Sequence, residues 1–257
     1  MAFLCKIPIF FAGKKFQEHL AEANKIDDGP PARYKLETEC TDLDNQPDEE
    51  SKLKRFTFGK RDPKLQNRTV LLVGATGTGK STLINALVNF VMGVTFDDRV
   101  WFEITEDGKD QKSQSHSQTT AVSMYEVFGF EKVVVPYSLT IIDTPGYGDT
   151  RGIEYDDIIT KKLQDLFCGP EGVDTIDAVG LVLKATENRL DERMIYIFNS
   201  VTSIFGKNME TNIVAMMTHS DGRRPTNALQ ALDEANIKYA KNENNATNLF
   251  PVQQLSK

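Results

Sequence analysis

Gly74-Ala75-Thr76-Gly77-Thr78-Gly79-Lys80-Ser81 fits the pattern GxxxxGK[ST] at every position. Its small residues let backbone N–H groups turn inward around a phosphate, and Lys80 brings a cation to the outer oxygens. The Ser81 hydroxyl can ligate a Mg²⁺ that bridges the phosphates, and Thr82 completes the lining. Before the loop, Thr69–Val73 (TVLLV) is the short apolar run expected of a buried parallel strand. After it, Ser81–Val91 reads as a helix whose N-terminus faces the anion. Strand, loop and helix in that order predict a nucleoside-phosphate site rather than an ordinary glycine-rich turn.

Composition narrows the setting. The 257 residues are 40% hydrophobic and 26% charged, ordinary for a globular protein able to bury a sizeable core. A formal charge of −7 argues against nucleic acid as the main partner. No apolar run approaches the roughly 20 residues of a membrane helix. The N-terminal apolar stretch is broken by Lys6 and Pro8, so it reads as a docking segment rather than a signal peptide, leaving peripheral membrane association open. Cys5, Cys40 and Cys168 are far apart with no CxxC spacing, which indicates neither a metal site nor a disulfide framework and fits a cytoplasmic protein.

Organisation along the chain predicts an extension over residues 1–64 and a nucleotide domain over 65–257. From Asp27 to Asp62 the chain is polar, with Gly29-Pro30-Pro31 and an acidic stretch from Glu37 to Glu50, which suits a weakly ordered linker. Phe16–Ile26 could form a short helix. From Arg68 onward strands and helices alternate. Strands are expected at Ala121–Phe128, Ser138–Ile142, Ala178–Lys184, Asn212–Met217 and Leu249–Val252. Helices are expected at Tyr155–Phe167, Leu190–Phe205 and Ala228–Tyr239. This alternation implies a three-layer α/β/α sandwich with a mostly parallel sheet.

Two further elements fit a nucleotide switch. Asp143-Thr144-Pro145-Gly146 ends the strand Leu139–Asp143, which would place a carboxylate near the Mg²⁺ and the Gly146 N–H toward a γ-phosphate. The polar stretch Glu106–Gln118 leads into Ser117-Gln118-Thr119-Thr120, where Thr119, or Thr120 beside it, could complete the metal shell. The strand Ile213–Met217 leads into Thr218-His219-Ser220-Asp221. Asp221 can accept two hydrogen bonds from guanine, and the His219 imidazole can stack on a purine.

These stretches, GATGTGKSTLIN, SQTT, LTIIDTPGYGDT and MMTHSDG, together resemble the septin-related branch of P-loop GTPases. That branch includes the AIG1 (GIMAP) proteins and the chloroplast import receptor GTPases. The resemblance covers about residues 66–252. It implies a Ras-like G domain binding GTP or GDP with Mg²⁺, slow hydrolysis and nucleotide-dependent dimers or oligomers. Under it, Ser81, Thr119 and Asp143 serve the metal, while Lys80, Thr119 and Gly146 serve catalysis. Two departures matter. Tyr147 stands where Ras-like enzymes carry a water-orienting glutamine, leaving Arg151 or Arg189, or a partner's group, as candidates to assist. The text after Leu249 is also short for the closing strand, base loop and helix, so a G domain with an incomplete C-terminal end is expected. Two other readings stay open: a GTP-binding interaction module that hardly turns over, and an ATP-using P-loop enzyme, against which Asp221 argues.

Overall fold

Side chains alternate along the predicted strands between two apolar sets, so the sheet they form must be covered on both faces. The computed structural model describes residues 15–21, 23–43, 52–106, 121–145, 153–169, 172–173, 175–205 and 211–241. The described residues open with α1 (Gln17–Leu20), β1 (Asn24–Asp27), β2 (Ala32–Lys35), β3 (Glu39–Asp42) and β4 (Lys52–Phe58). The strand before the quoted loop is β5 (Asn67–Val73), followed by α2 (Lys80–Met92) and β6 (Val100–Glu103). Then come β7 (Ala121–Val127), β8 (Ser138–Asp143), α3 (Ile153–Cys168), β9 (Ala178–Lys184), α4 (Glu192–Phe205), β10 (Ile213–Thr218) and α5 (Thr226–Glu234).

Among the described residues, seven strands form the main sheet in the order β10-β9-β5-β8-β7-β4-β3. Only the β7–β8 and β3–β4 pairs are antiparallel; the others run parallel. In β5, Leu71 and Val73 face one core while Val70 and Leu72 face the other. In β10, Ile213, Ala215 and Met217 join the first core, and Val214 and Met216 the second. Residues of α3, α4 and α5 cover the first face; those of α2 cover the second. The expected three-layer α/β sandwich is therefore the observed one. The pairing β9-β5-β8 puts β5 where the strand order reverses, so the crevice beyond its carboxyl end is the natural ligand position.

The stretch expected to be a linker is instead built into two sheets. β4 pairs in parallel with β7 along its whole length, from Lys52↔Ala121 to Phe58↔Val127, and β3 adds to its outer side. β1, β2 and β6 form a second, three-stranded sheet. These strands stand because partners supply their hydrogen bonds and a few apolar residues, Leu36, Leu53 and Phe56, are fully buried. The outermost strands face solvent: every residue of β1 and β3 is exposed. Only four residues of the Phe16–Ile26 stretch are helical, and α5 stops at Glu234, short of the expected Tyr239, with Asn236 left-handed at φ 54°. The expected strand Leu249–Val252 lies outside the described residues.

The sheet's opposite end is fastened by a polar knot. Arg68 pairs with Asp177, whose second oxygen accepts from Thr69 N–H at 2.8 Å. Nearby, burial pushes the Tyr137 phenol up to about 12.

Candidate functional site

The carboxyl ends of β5, β8, β9 and β10 lie side by side, because Leu72 pairs with Asp143, Val73 with Leu181 and Lys184 with Thr218. The loop Gly74–Gly79 leaves β5 at this edge and runs straight into α2, whose first residue is Lys80. A side chain at Gly74 has no room: a Cβ there would sit 2.5 Å from the Val182 carbonyl oxygen and 3.1 Å from Thr78 Oγ1. Gly79, the residue before the helix, has φ +87°, a conformation that L side chains rarely adopt. The bare cradle predicted from the glycine spacing is thus imposed by sterics on one side and backbone conformation on the other.

Within the loop, Thr78 Oγ1 donates to Ala75 O at 2.8 Å. Lys80 is 7% exposed, and its ammonium donates to Gly74 O at 2.9 Å and Ala75 O at 3.3 Å. The cation is therefore folded over the loop's own opening residues, close to where a phosphate would sit against the helix N-terminus. Thr76 and Gly77 form the exposed crown of the loop, and Ser81 and Thr82 follow in the first turn of α2.

Asp143 ends β8 with 1% of its surface exposed, beside the strand that feeds the loop. Thr144, the next residue, donates its hydroxyl to Leu72 O at 3.0 Å and is wholly buried. Nothing in the sequence pattern marked Thr144 for this task, which fixes the end of β8 to β5. Gly146, Tyr147, Arg151, Thr119 and Thr120 lie outside the described residues.

On the other side, Thr218 ends β10 and ties three segments together. Its hydroxyl donates within hydrogen-bond distance of Thr78 O in the loop and of Leu183 O at 3.1 Å in β9. His219 Nδ1 lies 3.2 Å from Thr218 Oγ1. His219 is itself left-handed at φ 52°, and a Cβ on Gly79 would come within 3.4 Å of its Cε1. The imidazole therefore lies directly against the phosphate loop. Asp221 follows on an exposed turn that its own carboxylate organises: Oδ1 accepts from Arg223 N–H at 2.9 Å, leaving the group facing solvent. Phosphate loop, Asp143 and the Thr218–Asp221 segment thus share one edge of the sheet.

The donor set suits a nucleotide with a hard cation. The cradle excludes side chains at Gly74, the helix N-terminus and Lys80 favour anions, and a hydroxyl and a carboxylate are the oxygen ligands Mg²⁺ prefers. Fold and loop together define an α/β domain that carries a glycine-rich loop of the phosphate-binding pattern at the carboxyl edge of its sheet.

The family model described as Septin matches residues 65–163, which span the loop, α2 and β8. The chain is 28% identical over 165 residues to GTP-binding protein A of Dictyostelium discoideum, a match covering 64% of this chain and 31% of that protein. The segment carrying the phosphate loop is therefore similar to septins and to a GTP-binding protein. The chain spans about a third of the length of the curated relative it matches. Among solved structures, Toc33 from Arabidopsis thaliana in complex with Mg²⁺ and GMPPNP aligns with a TM-score of 0.43 at 20% identity, covering 72% of this chain and 70% of that one. Cdc11 from Saccharomyces cerevisiae aligns at 0.36 and 16% identity, covering 74% and 70%. No helix among the described residues is long and apolar enough to cross a membrane.

Proposed function

We propose that the chain is a guanine-nucleotide-binding switch or self-assembling scaffold with slow, Mg²⁺-dependent GTP hydrolysis. The observation that supports the proposal is the contact of the loop Gly74–Gly79 with the Thr218–Asp221 segment through Thr218 and His219. One hydroxyl and one ring hold the two ends of a nucleotide site in register, as a single nucleotide would require.

The loop N–H groups and Lys80 would hold the β- and γ-phosphates, with Lys80 exchanging its contacts to Gly74 and Ala75 for phosphate oxygens. Ser81 and Asp143 would hold Mg²⁺, which when bound neutralises charge developing on the phosphates. His219 would cover one face of the base, and Asp221 would accept from two guanine N–H groups, a pattern adenine does not offer. Thr119 and Gly146 remain proposed partners of the metal and the γ-phosphate. Arg151 remains a proposed aid to hydrolysis. Dimerisation through the nucleotide face and a cytoplasmic setting belong to the same proposal, in keeping with Toc33, for whose GTPase activity dimerisation is described as important.

A binding module with little turnover is the second reading, favoured by Tyr147 in place of a water-orienting glutamine. Single-turnover phosphate release at several protein concentrations separates the two. Release that quickens with concentration supports a dimer-assisted GTPase, and no release at any concentration leaves the binding module. Nucleotide identity is read from binding of fluorescent GDP and ADP. We expect GDP to bind more tightly, Lys80→Ala to abolish triphosphate binding, and Asp221→Asn to narrow the guanine preference by about 1–3 kcal/mol. Equal affinities for the two nucleotides in the unsubstituted protein would refute the guanine assignment.

A further inference from the structure

Two asparagines sit where α2 faces β6. Asn85 and Asn89 are one helical turn apart, 6% and 2% exposed, on a face otherwise made of Leu, Ile, Val and Met. A buried carboxamide is costly unless both its donor and acceptor are met. Here each is met by the segment beginning at β6, through its backbone and, for the Asn85 donor, the Thr105 hydroxyl.

Backbone groups along β6 alternate in direction. The carbonyls of Arg99 and Glu103 turn toward β2, where Ala32 N–H and Leu36 N–H each donate at 2.9 Å. The groups of Phe102 and Ile104 turn the other way, toward the helix. Asn89 Oδ1 accepts from Phe102 N–H at 2.9 Å while its Nδ2 donates to Phe102 O at 2.7 Å. Asn85 Oδ1 accepts from Ile104 N–H at 2.9 Å and Thr105 N–H at 3.3 Å, and its Nδ2 donates to Thr105 Oγ1 at 3.1 Å.

The spacing explains why side chains can replace a strand. Four helical residues rise about 6 Å, and two strand residues advance about 6.6 Å, so amides at i and i+4 reach alternate residues of an extended chain. A carboxamide is in effect a peptide group, and the pair supplies the neighbour that β6 lacks on that side. On the far side, Arg33 Nε donates to Glu103 Oε1 at 2.6 Å, and Lys35 Nζ donates to Thr105 O. The helix that carries Lys80 and Ser81 is thereby joined, through β6, to β2 and the N-terminal sheet.

We propose that Asn85 and Asn89 are positioning residues that couple the nucleotide site to the sheet of β1, β2 and β6. Ligand at Gly74–Ser81 and order in β2 then stabilise one another. The proposal rests on the nucleotide-binding reading above. Because α2 begins at Lys80, any shift of its axis carries Lys80 and Ser81 with it. Linkage makes the effect reciprocal: whatever the sheet does to nucleotide affinity, nucleotide must do to the sheet.

Hydrogen exchange on the full chain, with and without GDP and Mg²⁺, tests this. Slowed exchange is expected at residues 74–81 and also, by about tenfold, at the amides of Ala32, Leu36, Phe102 and Ile104. Asn89→Ala is expected to keep the protection at 74–81 and lose the transmitted part at Ala32 and Leu36. Should that variant fold poorly, the double substitution Arg33→Ala and Lys35→Ala leaves α2 intact and is expected to speed GDP release about fivefold. Protection confined to 74–81, or an unchanged release rate in the double variant, overturns the coupling while leaving nucleotide binding intact. Absence of protection at 74–81 itself removes the nucleotide reading, and the coupling with it.

Discussion

Replacing Gly74 by Ala is the sharpest test of how the loop is held. The added methyl would meet the Val182 carbonyl oxygen at 2.5 Å, where real Cβ atoms essentially never come nearer than 3.0 Å, and Thr78 Oγ1 at 3.1 Å. At least half an ångström of movement is needed, and the strand cannot supply it. Val182 is fully buried in β9, flanked by Met216 of β10 and, one residue before it, by Val73 of β5 across from Leu181. The loop must therefore move, at the residue whose carbonyl holds Lys80. Forced overpacking of this kind costs about 1–3 kcal/mol of stability. Urea unfolding without nucleotide reads that loss directly, and fluorescent GDP titration reads the displaced loop. Gly77→Ala is the companion: its φ is +73°, but a methyl there meets nothing within 4 Å. It should lose only the roughly 1–2 kcal/mol of a left-handed alanine. An unfolding midpoint for Gly74→Ala equal to the unsubstituted protein's would refute the steric argument.

Other outcomes follow from features at both ends of the sheet. Thr218→Val keeps the shape but removes the hydroxyl shared by Thr78 O and Leu183 O. It should destabilise by about 1–3 kcal/mol, and an unaltered melting temperature would show the hydroxyl to be passive. Asp177→Ala strips both Arg68 and Thr69 N–H of their acceptor, so a loss of about 2 kcal/mol in urea unfolding is expected; none would mean that the pair only decorates the surface. Tyr137 holds its proton more tightly when folded, from 10.0 to about 12, because burial disfavours the phenolate. Its contribution to stability is therefore complete below pH 10 and declines as pH rises from 10 to 12, visible as late phenolate absorbance that becomes ordinary on unfolding.

What the sequence disclosed depended on how each element earns its stability. β9 (AVGLVLK) lies between two parallel strands, so both its faces had to be apolar and its boundaries were readable. The phosphate loop was readable because sterics and φ demand glycine at set places. β1 and β3 left no such mark, since all their side chains face solvent and their hydrogen bonds come from the neighbouring strands β2 and β4, which themselves pair with β6 and β7 far along the chain. β4 (KLKRFTF) buries Leu53 and Phe56 among charged residues, a pattern that resembles a linker until β7 is set beside it. In the site, Asp143 and Thr218 were legible from their positions after apolar strands. Asn85 and Asn89 were not read, although two asparagines one turn apart on an apolar helix face are the kind of signal that marks a buried polar contact.

The distance along the chain between β4 and β7 bears on synthesis. Thr57 meets Glu126 69 residues later, and Arg33 meets Glu103 70 residues later. At about 5–20 residues per second on the ribosome, β2 and β4 wait roughly 4–14 s for β6 and β7. An apolar strand left open that long invites pairing with other chains. The charged residues that disguise β1, β3 and β4 in the sequence also make these strands poor templates for other chains until β6 and β7 arrive.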